Sequence, residues 1–134
     1  YANMAAGFAD SLAKPECELI LKDTNSTMLS QMLREGNTSI ILFCDVPAGL
    51  NETIQVKFLN RNAWFSVGPA ILALINKVPL LPIINYSNDY SSLLKIDDQI
   101  EPDLLPRETL RDGAQRITQK LVTFFESVFL RTLN

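Results

Sequence analysis

Residues 40–84 read IILFCDVPAGLNETIQVKFLNRNAWFSVGPAILALINKVPLLPII, and this stretch decides the predicted fold. It contains two nearly continuous apolar runs, residues 40–43 and 79–84, which are typical of strands covered on both faces. Between them, residues 66–76 have the composition of a short helix. A strand, a one-helix crossover and a second strand predict a parallel sheet. We therefore expect an α/β fold with a mostly parallel or mixed sheet.

Two further segments lie between the apolar runs. Residues 53–59 alternate apolar and polar side chains, which predicts a strand with one face in solvent. Residues 60–65 are predicted to be a loop that leads to the helix. Ser66 is the expected N-cap, and Pro69 suits the first turn because its missing amide costs little there. The free amides at such a helix start favour an anion, such as phosphate or an oxyanion, although most helix starts bind only water.

The flanking segments supply the remaining predicted elements. Residues 1–13 have helical spacing and residues 16–22 alternate as a short strand. Residues 27–35 predict a helix that ends at Gly36, and residues 38–44 predict the strand that ends before Asp45. Residues 91–96 predict one more strand. We expect one domain over residues 1–134, with an N-terminal helix in 1–15, an α/β core in 16–97 and a C-terminal helix in 106–131.

The C-terminal helix carries one apolar stripe at spacings of three and four residues. This stripe has two interpretations. In the first, the helix packs across the sheet. In the second, its phenylalanine-rich end reaches a membrane interface or a partner. The residues of that end are Phe124, Phe125, Phe129 and Leu130.

The composition excludes several classes of function. The net charge of −3 and the absence of clustered Lys and Arg argue against a nucleic-acid partner, which requires a basic surface. No apolar run approaches the roughly 18 residues that a membrane span needs. The chain has two cysteines and no histidine, which argues against zinc. An acidic segment, residues 97–103, is interrupted by Pro102, and we interpret it as a solvated loop and predict no metal site.

Several short pieces of the chain follow one another in an order that resembles a known family. An apolar strand ends in Asp45 and is followed by a turn with Pro and Gly. The later pieces are Phe58-Leu59-Asn60-Arg61, Ala63, Gly68-Pro69-Ala70, Leu72-Ala73, Val78-Pro79 and Pro82. Over about residues 27–84 this order resembles the second half of the bacterial lipid A biosynthesis acyltransferases, which are late fatty-acyl transferases of the lysophospholipid acyltransferase superfamily. The resemblance implies half of a glycerolipid acyltransferase fold.

The chain also departs from the family pattern. Family members carry an upstream His-x-x-x-x-Asp or His-x-x-x-x-Glu motif whose histidine is the general base, and this chain has no histidine. Val46 replaces the family's Gln, and Leu59-Asn60 replaces its Phe-Gly. We therefore expect no acyl transfer by the chain on its own. It is either a fragment or domain of such an enzyme or a non-catalytic relative that binds a lipid or a protein, and the sequence before Tyr1 would discriminate the two.

The resemblance implies roles for two charged residues. Asp45 would support catalysis by orienting or charge-balancing the site; alternatively, it is a strand-end residue that caps the Pro47 turn. Arg61 would bind a phosphate of the acceptor or of the acyl carrier's phosphopantetheine; alternatively, it is a solvated loop residue. In a parallel sheet joined by one crossover, these two side chains are expected to reach the rim of one groove.

The remaining candidate binding residues surround the start of the predicted helix. Ser66, Gly68 and Pro69 would shape the cleft for the acyl chain or head group. Trp64 and Phe65 would form its apolar wall, although Trp64 also suits a core position.

The resemblance further implies an acyl thioester donor, either acyl carrier protein or coenzyme A, and a lipid or glycolipid acceptor, with no bound cofactor. It implies a cytoplasmic protein that associates peripherally with the inner membrane. Because half of a sheet would leave edges and apolar surface uncovered, we also expect self-association.

Overall fold

The computed structural model describes residues 26–44 and 52–132. The predicted helix in residues 1–15, the predicted strand 16–22 and Asp45 with the loop after it lie outside the described residues. In chain order the elements are α1 (Ser26–Glu35), β1 (Thr53–Phe58), β2 (Arg61–Ser66), α2 (Gly68–Asn76), β3 (Ile83–Ser87), β4 (Ser92–Ile96) and α3 (Leu110–Thr132). The mixed α/β class and the long C-terminal helix are confirmed.

The first two strands form an antiparallel hairpin rather than a strand and a loop. Cα partners run from Thr53 with Ser66 to Phe58 with Arg61. The two turn residues, Leu59 and Asn60, have φ of 51° and 61°. Positive φ at both positions matches the twist of the flanking strands, as in a type I′ turn. The prediction of a loop over residues 60–65 was therefore wrong, because a two-residue turn returns the chain directly along β1.

The other two strands form a second antiparallel hairpin, with register from Ile83 opposite Ile96 to Ser87 opposite Ser92. Asn88 closes its turn, because its Oδ1 accepts hydrogen bonds from the backbone N–H groups of residues 90 and 91. Every strand pair among the described residues is antiparallel. The predicted parallel sheet was wrong here, because α2 connects two hairpins instead of crossing between two parallel strands.

Residues 38–44 were predicted to be a buried strand, and they form none. Ile41 is 78% exposed and Phe43 is 61% exposed. The run is apolar, as a buried strand would be. A strand also requires a neighbouring strand to pair with, and apolar composition does not identify that neighbour. Apolar side chains therefore remain at the surface of this segment.

The core lies between α3 and the elements on which it packs. One cluster joins Ala70 and Leu74 of α2 to Ala114 and Ile117 of α3. A second cluster, on the β1–β2 hairpin, consists of Ile54, Val56 and Val122. The small alanines allow the two helices to approach closely. The stripe of α3 thus packs across a sheet surface, as the first of its two interpretations predicted.

The start of α3 is set by a side-chain cap. Thr109 precedes the helix, and its Oγ1 accepts a hydrogen bond of 3.1 Å from the backbone N–H of Asp112. This contact satisfies an amide that the first helical turn leaves without a partner. The helix therefore begins a few residues after Pro106, which lies in a turn with Arg107 at φ 64°.

The first helix, α1, agrees with its predicted bounds to within one residue and is followed by Gly36 at φ 76°. It is the least buried of the described helices, because none of its residues is fully buried. It touches α2 through a hydrogen bond of 3.1 Å from Asn76 Nδ2 to Ser30 Oγ.

Candidate functional site

Arg61, which was predicted to bind a phosphate, is the first residue of β2. Arg61 lies directly opposite Phe58 across the hairpin and is exposed. Directly opposed residues of an antiparallel pair project on the same face, as do alternate residues of one strand. Arg61, Phe58 and Phe65 therefore share the face of the hairpin that packs on α3.

Three aromatic rings meet beside this position, and we call Phe58, Phe65 and Phe129 the aromatic cluster. The ring centroids of Phe58 and Phe65 are 5.9 Å apart in an edge-to-face arrangement. Phe129, from the last turns of α3, lies 6.2 Å from Phe58. Separations in this range are favourable for aromatic pairs. Phe129 remains 42% exposed, so the cluster continues into solvent at the end of the molecule.

Only part of this arrangement was predicted from the sequence. Arg61 and Phe65 were predicted to be binding residues, whereas Phe58 and Phe129 were not. Signals for both existed, because alternation in residues 53–59 placed Phe58 on the buried face and the aromatic end of α3 was recognised as unusual. Their meeting was missed because it joins residues 71 positions apart, which no local pattern reports.

Trp64 lies on the opposite face of the hairpin from Phe65, because consecutive strand residues point in opposite directions. It stands opposite Gln55 and is 59% exposed. The structure therefore does not bring Trp64 and Phe65 into one wall, and Trp64 is not a core residue either. It lies on the solvent face of the hairpin.

The predicted anion-binding helix start lies at the other end of β2 from Arg61. Ser66 lies five residue steps after Arg61 along the strand, which is about 17 Å at 3.3 Å per residue. Gly68 and Pro69 occupy the first turn of α2, where the missing N–H of a proline costs little, and Pro69 is buried. The candidate residues therefore divide between two ends of one strand, and the position of Asp45 relative to them is outside the described residues.

Ser66 is not the N-cap of α2. That position belongs to Val67, which makes no side-chain capping bond. Ser66 is still in the strand, opposite Thr53, and the N–H of Val67 donates to the carbonyl of Glu52 at 2.9 Å. Because Ser66 is still paired in β2, the N-cap is one residue later in the chain than the predicted N-cap, Ser66.

Polar side chains of α3 cover the outer edge of β1, where another strand could otherwise pair. Gln119 accepts from the N–H of Lys57 at 2.8 Å and donates to its carbonyl at 2.9 Å. Gln115 Nε2 donates to the carbonyl of Gln55. Glu126 accepts from the N–H of Leu59 at 2.7 Å, which ties the hairpin turn to α3. These contacts fix the turn, and with it Arg61, against the helix.

The acidic region before α3 is organised by an ion pair. Arg116 donates to both carboxylate oxygens of Glu108 at 2.9 Å and to the carbonyl of Asp103 at 2.5 Å. The hydrogen bonds from Arg116 and from the N–H of Leu105 lower the pKa of Glu108, and the same pairing raises the pKa of Arg116. Within residues 26–44 and 52–132, no three acidic or cysteine side chains gather as metal ligands would.

Comparison of the chain with protein-family models, with curated proteins and with solved structures found no match. None of the helices in the described ranges combines the length and the apolar character needed to cross a membrane. The geometry defines the class of protein as a mixed α/β module in which a long helix packs on one antiparallel hairpin and on α2, with a second antiparallel hairpin beside them.

Proposed function

We propose that this chain is a lipid-A-type acyltransferase-like module that binds an amphipathic phosphate-bearing lipid or acyl donor, and that it does not catalyse acyl transfer alone. One observation carries the binding proposal: Arg61 shares a face with the aromatic cluster. A guanidinium pairs well with phosphate, and exposed phenylalanine beside it suits an acyl chain. The parallel groove that would have paired Arg61 with Asp45 is absent from the described residues, so the proposal rests on the cluster instead.

Two structural details support the family resemblance. Asn60 occupies the position where the family has glycine, and its φ of 61° is one that glycine adopts most easily and asparagine next. Ala70, the last residue of the Gly-Pro-Ala piece, is 2% exposed where α2 packs on α3. A small residue is needed at such a close helix contact. The positive φ at Asn60 explains why the motif has glycine there, and the helix contact at Ala70 explains why the motif has a small residue there.

The side chains of this sequence suit binding and lack a general base. Acyl transfer to a hydroxyl requires a general base, and an arginine, which stays protonated in proteins, binds phosphate without accepting a proton. With no histidine in the sequence, the module supplies binding. We propose that the acyl group of a thioester donor passes to a hydroxyl acceptor only when a base comes from residues outside this sequence.

Binding is tested by sedimentation with vesicles of phosphatidylcholine, with and without phosphatidylglycerol. We expect binding to the anionic vesicles and about fivefold weaker binding for Arg61→Gln, the loss expected for one basic residue near an anionic surface. Arg111→Gln removes an exposed arginine at the far end of α3 and is the matched control. Equal binding by both variants would contradict the role of Arg61.

The contribution of the aromatic cluster is tested with Phe129→Ala, with Leu110→Ala as a control at the other end of α3. Both residues are about equally exposed, at 42% and 40%. Only the first variant should lose vesicle binding.

A separate assay with acyl coenzyme A and a lipid A precursor should show no transfer by the chain, and measurable turnover would contradict the proposed lack of catalysis.

The second candidate is a non-catalytic module that pairs with itself or another protein, and the edge of β2 favours it. The outward backbone groups of Asn62 and Trp64 face away from β1, and no strand of the described residues covers them. Uncovered edges pair with other strands unless charge or proline blocks them. Light scattering should therefore detect association that Trp64→Lys reduces and that Tyr90→Lys, in a turn away from this edge, leaves unchanged. A monomer at high concentration would contradict this candidate.

A further inference from the structure

A cavity of about 550 Å³ lies between the β3–β4 hairpin and the last turn of α3. Its volume is in the range of small-molecule sites, roughly 300–1,000 Å³. The proposed lipid site does not include it. Its lining includes Tyr86, Asn88, Lys95, Val128, Arg131 and Thr132.

The described lining of this cavity is positively charged. Lys95 and Arg131 contribute two cations, and no carboxylate of the described residues lines it. Asp89 is in the adjoining turn but not in the lining. In a chain with a net charge of −3, two cations without a lining carboxylate are a local reversal of sign. Such a site selects anions.

The neutral lining residues add donors and an apolar floor. Tyr86 brings a hydroxyl group, and Asn88 uses its Oδ1 within the hairpin turn, which leaves its Nδ2 as a donor. The hydroxyl of Thr132 already donates to the carbonyl of Phe129 at 2.7 Å. Val128, only 2% exposed, forms the apolar side. A tetrahedral oxyanion with several acceptor oxygens matches several donors better than a single carboxylate does.

The positions of the charged groups are fixed by secondary structure. Lys95 lies opposite Ile84 in the hairpin, and Tyr86 lies two residues further on the same strand as Ile84, so Lys95 and Tyr86 share one face. Arg131 is in the last turn of α3, where the helix dipole favours a cation. The dipole places about half a negative charge at that end, which two full positive charges outweigh.

We propose that this cavity is a binding site for a phosphate monoester group, with Lys95 and Arg131 as its charged ligands. The site is separate from the aromatic cluster and does not depend on the function proposed there. The phosphate belongs either to a small soluble molecule or to a lipid head group, and the experiment distinguishes these sources.

The soluble source is tested by titrating the chain with inorganic phosphate and with glycerol 3-phosphate, followed by calorimetry and by amide chemical shifts. We expect shift changes centred on residues 86–88, 95 and 128–132. Lys95→Gln and Arg131→Gln should each weaken binding about tenfold, as the loss of one charge-assisted contact predicts. Lys120→Gln, an exposed cation of α3 outside the cavity, should bind like the unaltered chain.

The lipid source is tested with vesicles of phosphatidylcholine containing phosphatidic acid. Binding to these vesicles that depends on Lys95 and Arg131, without binding of the soluble phosphates, identifies a head group. Binding of the soluble phosphates identifies a small ligand. The proposal is overturned if the soluble phosphates do not bind and vesicle binding is the same for Lys95→Gln, Arg131→Gln and Lys120→Gln. It is also overturned if the shift changes lie elsewhere while the first two variants, shown to be folded by circular dichroism, bind the soluble phosphates like Lys120→Gln. Arg61→Gln should bind the soluble phosphates like the unaltered chain. The titrations therefore test the cavity independently of the lipid site at Arg61.

Discussion

Thr118 is a polar residue in the middle of the apolar stripe of α3. It is 2% exposed, and its Oγ1 is buried without a hydrogen-bond partner. Burying an unsatisfied hydroxyl costs about 1–3 kcal/mol, and valine has nearly the same shape without that group. We expect Thr118→Val to raise the free energy of unfolding by about 1 kcal/mol in urea denaturation.

The control for this substitution is Thr123→Val on the same helix. The hydroxyl of Thr123 is exposed, donates to the carbonyl of Gln119 at 2.8 Å and accepts a bond of 3.3 Å from Gln119 Nε2. Water can replace both contacts at this exposed position, so removal of the hydroxyl should change stability little. A loss of stability in Thr118→Val would mean that the hydroxyl has a partner, such as a buried water, that the valine cannot replace.

The contact between α3 and the edge of β1 depends on Gln119, whose amide replaces the donor and acceptor of a neighbouring strand. Its two hydrogen bonds to Lys57 are at an exposed edge, where water can substitute in part. We expect Gln119→Ala to lower the free energy of unfolding by about 1 kcal/mol. Because the edge becomes available, aggregation should also increase by light scattering. Lys120→Ala, the next residue on the helix and exposed, should alter neither property.

The turn before α3 is held by the pair of Glu108 and Arg116, and this pair predicts a pH dependence. The pKa of Glu108 is lowered in the folded chain, mainly by the hydrogen bond from Arg116. A carboxyl whose pKa is lowered on folding stabilises the protein above its unfolded pKa, about 4.3, and this stabilisation is lost as pH falls through the folded pKa.

We therefore expect Glu108→Gln to be less stable than the unaltered chain at pH 7. The difference should shrink as the pH falls below about 4 in urea denaturation. Glu101→Gln is the control, because Glu101 is exposed and makes only one side-chain contact, with Gln99. A difference that stays constant down to pH 2 would show that the carboxylate charge is not what stabilises this turn.

At the scale of the molecule, the described residues expose many large apolar side chains, and the net charge of the chain is only −3. The sequence pI is about 4.9, and exposed apolar residues occur in residues 41–43, in the β3–β4 hairpin and at the end of α3. Charge repulsion opposes association and vanishes at the pI. We expect association measured by light scattering to be strongest near pH 5 and to fall at pH 8. No change over this range would mean that the apolar surface does not mediate contacts between copies.

The local patterns predicted α1, β1, β4 and the body of α3 well, because helical and alternating periodicity depend on neighbouring residues alone. They failed at β2, whose Leu59-Asn60 turn lacks the glycine that normally signals a hairpin. In the candidate site, Arg61 was predicted from its position in the family motif. Phe129 was identified only as one residue of the phenylalanine-rich end of α3. Lys95 and Arg131 had no signal at all, since nothing in the sequence places them near each other.

By itself, the sequence determined that α1 and α3 are helical, that β1 and β4 are extended, and which faces of β1 and α3 are apolar. The tertiary structure alone decided that the strands pair as antiparallel hairpins, that Phe129 meets Phe58 and that two cations line one cavity. The physical reason is that periodicity is a property of adjacent residues. Pairing direction and the convergence of side chains depend instead on contacts between segments that are far apart in the chain.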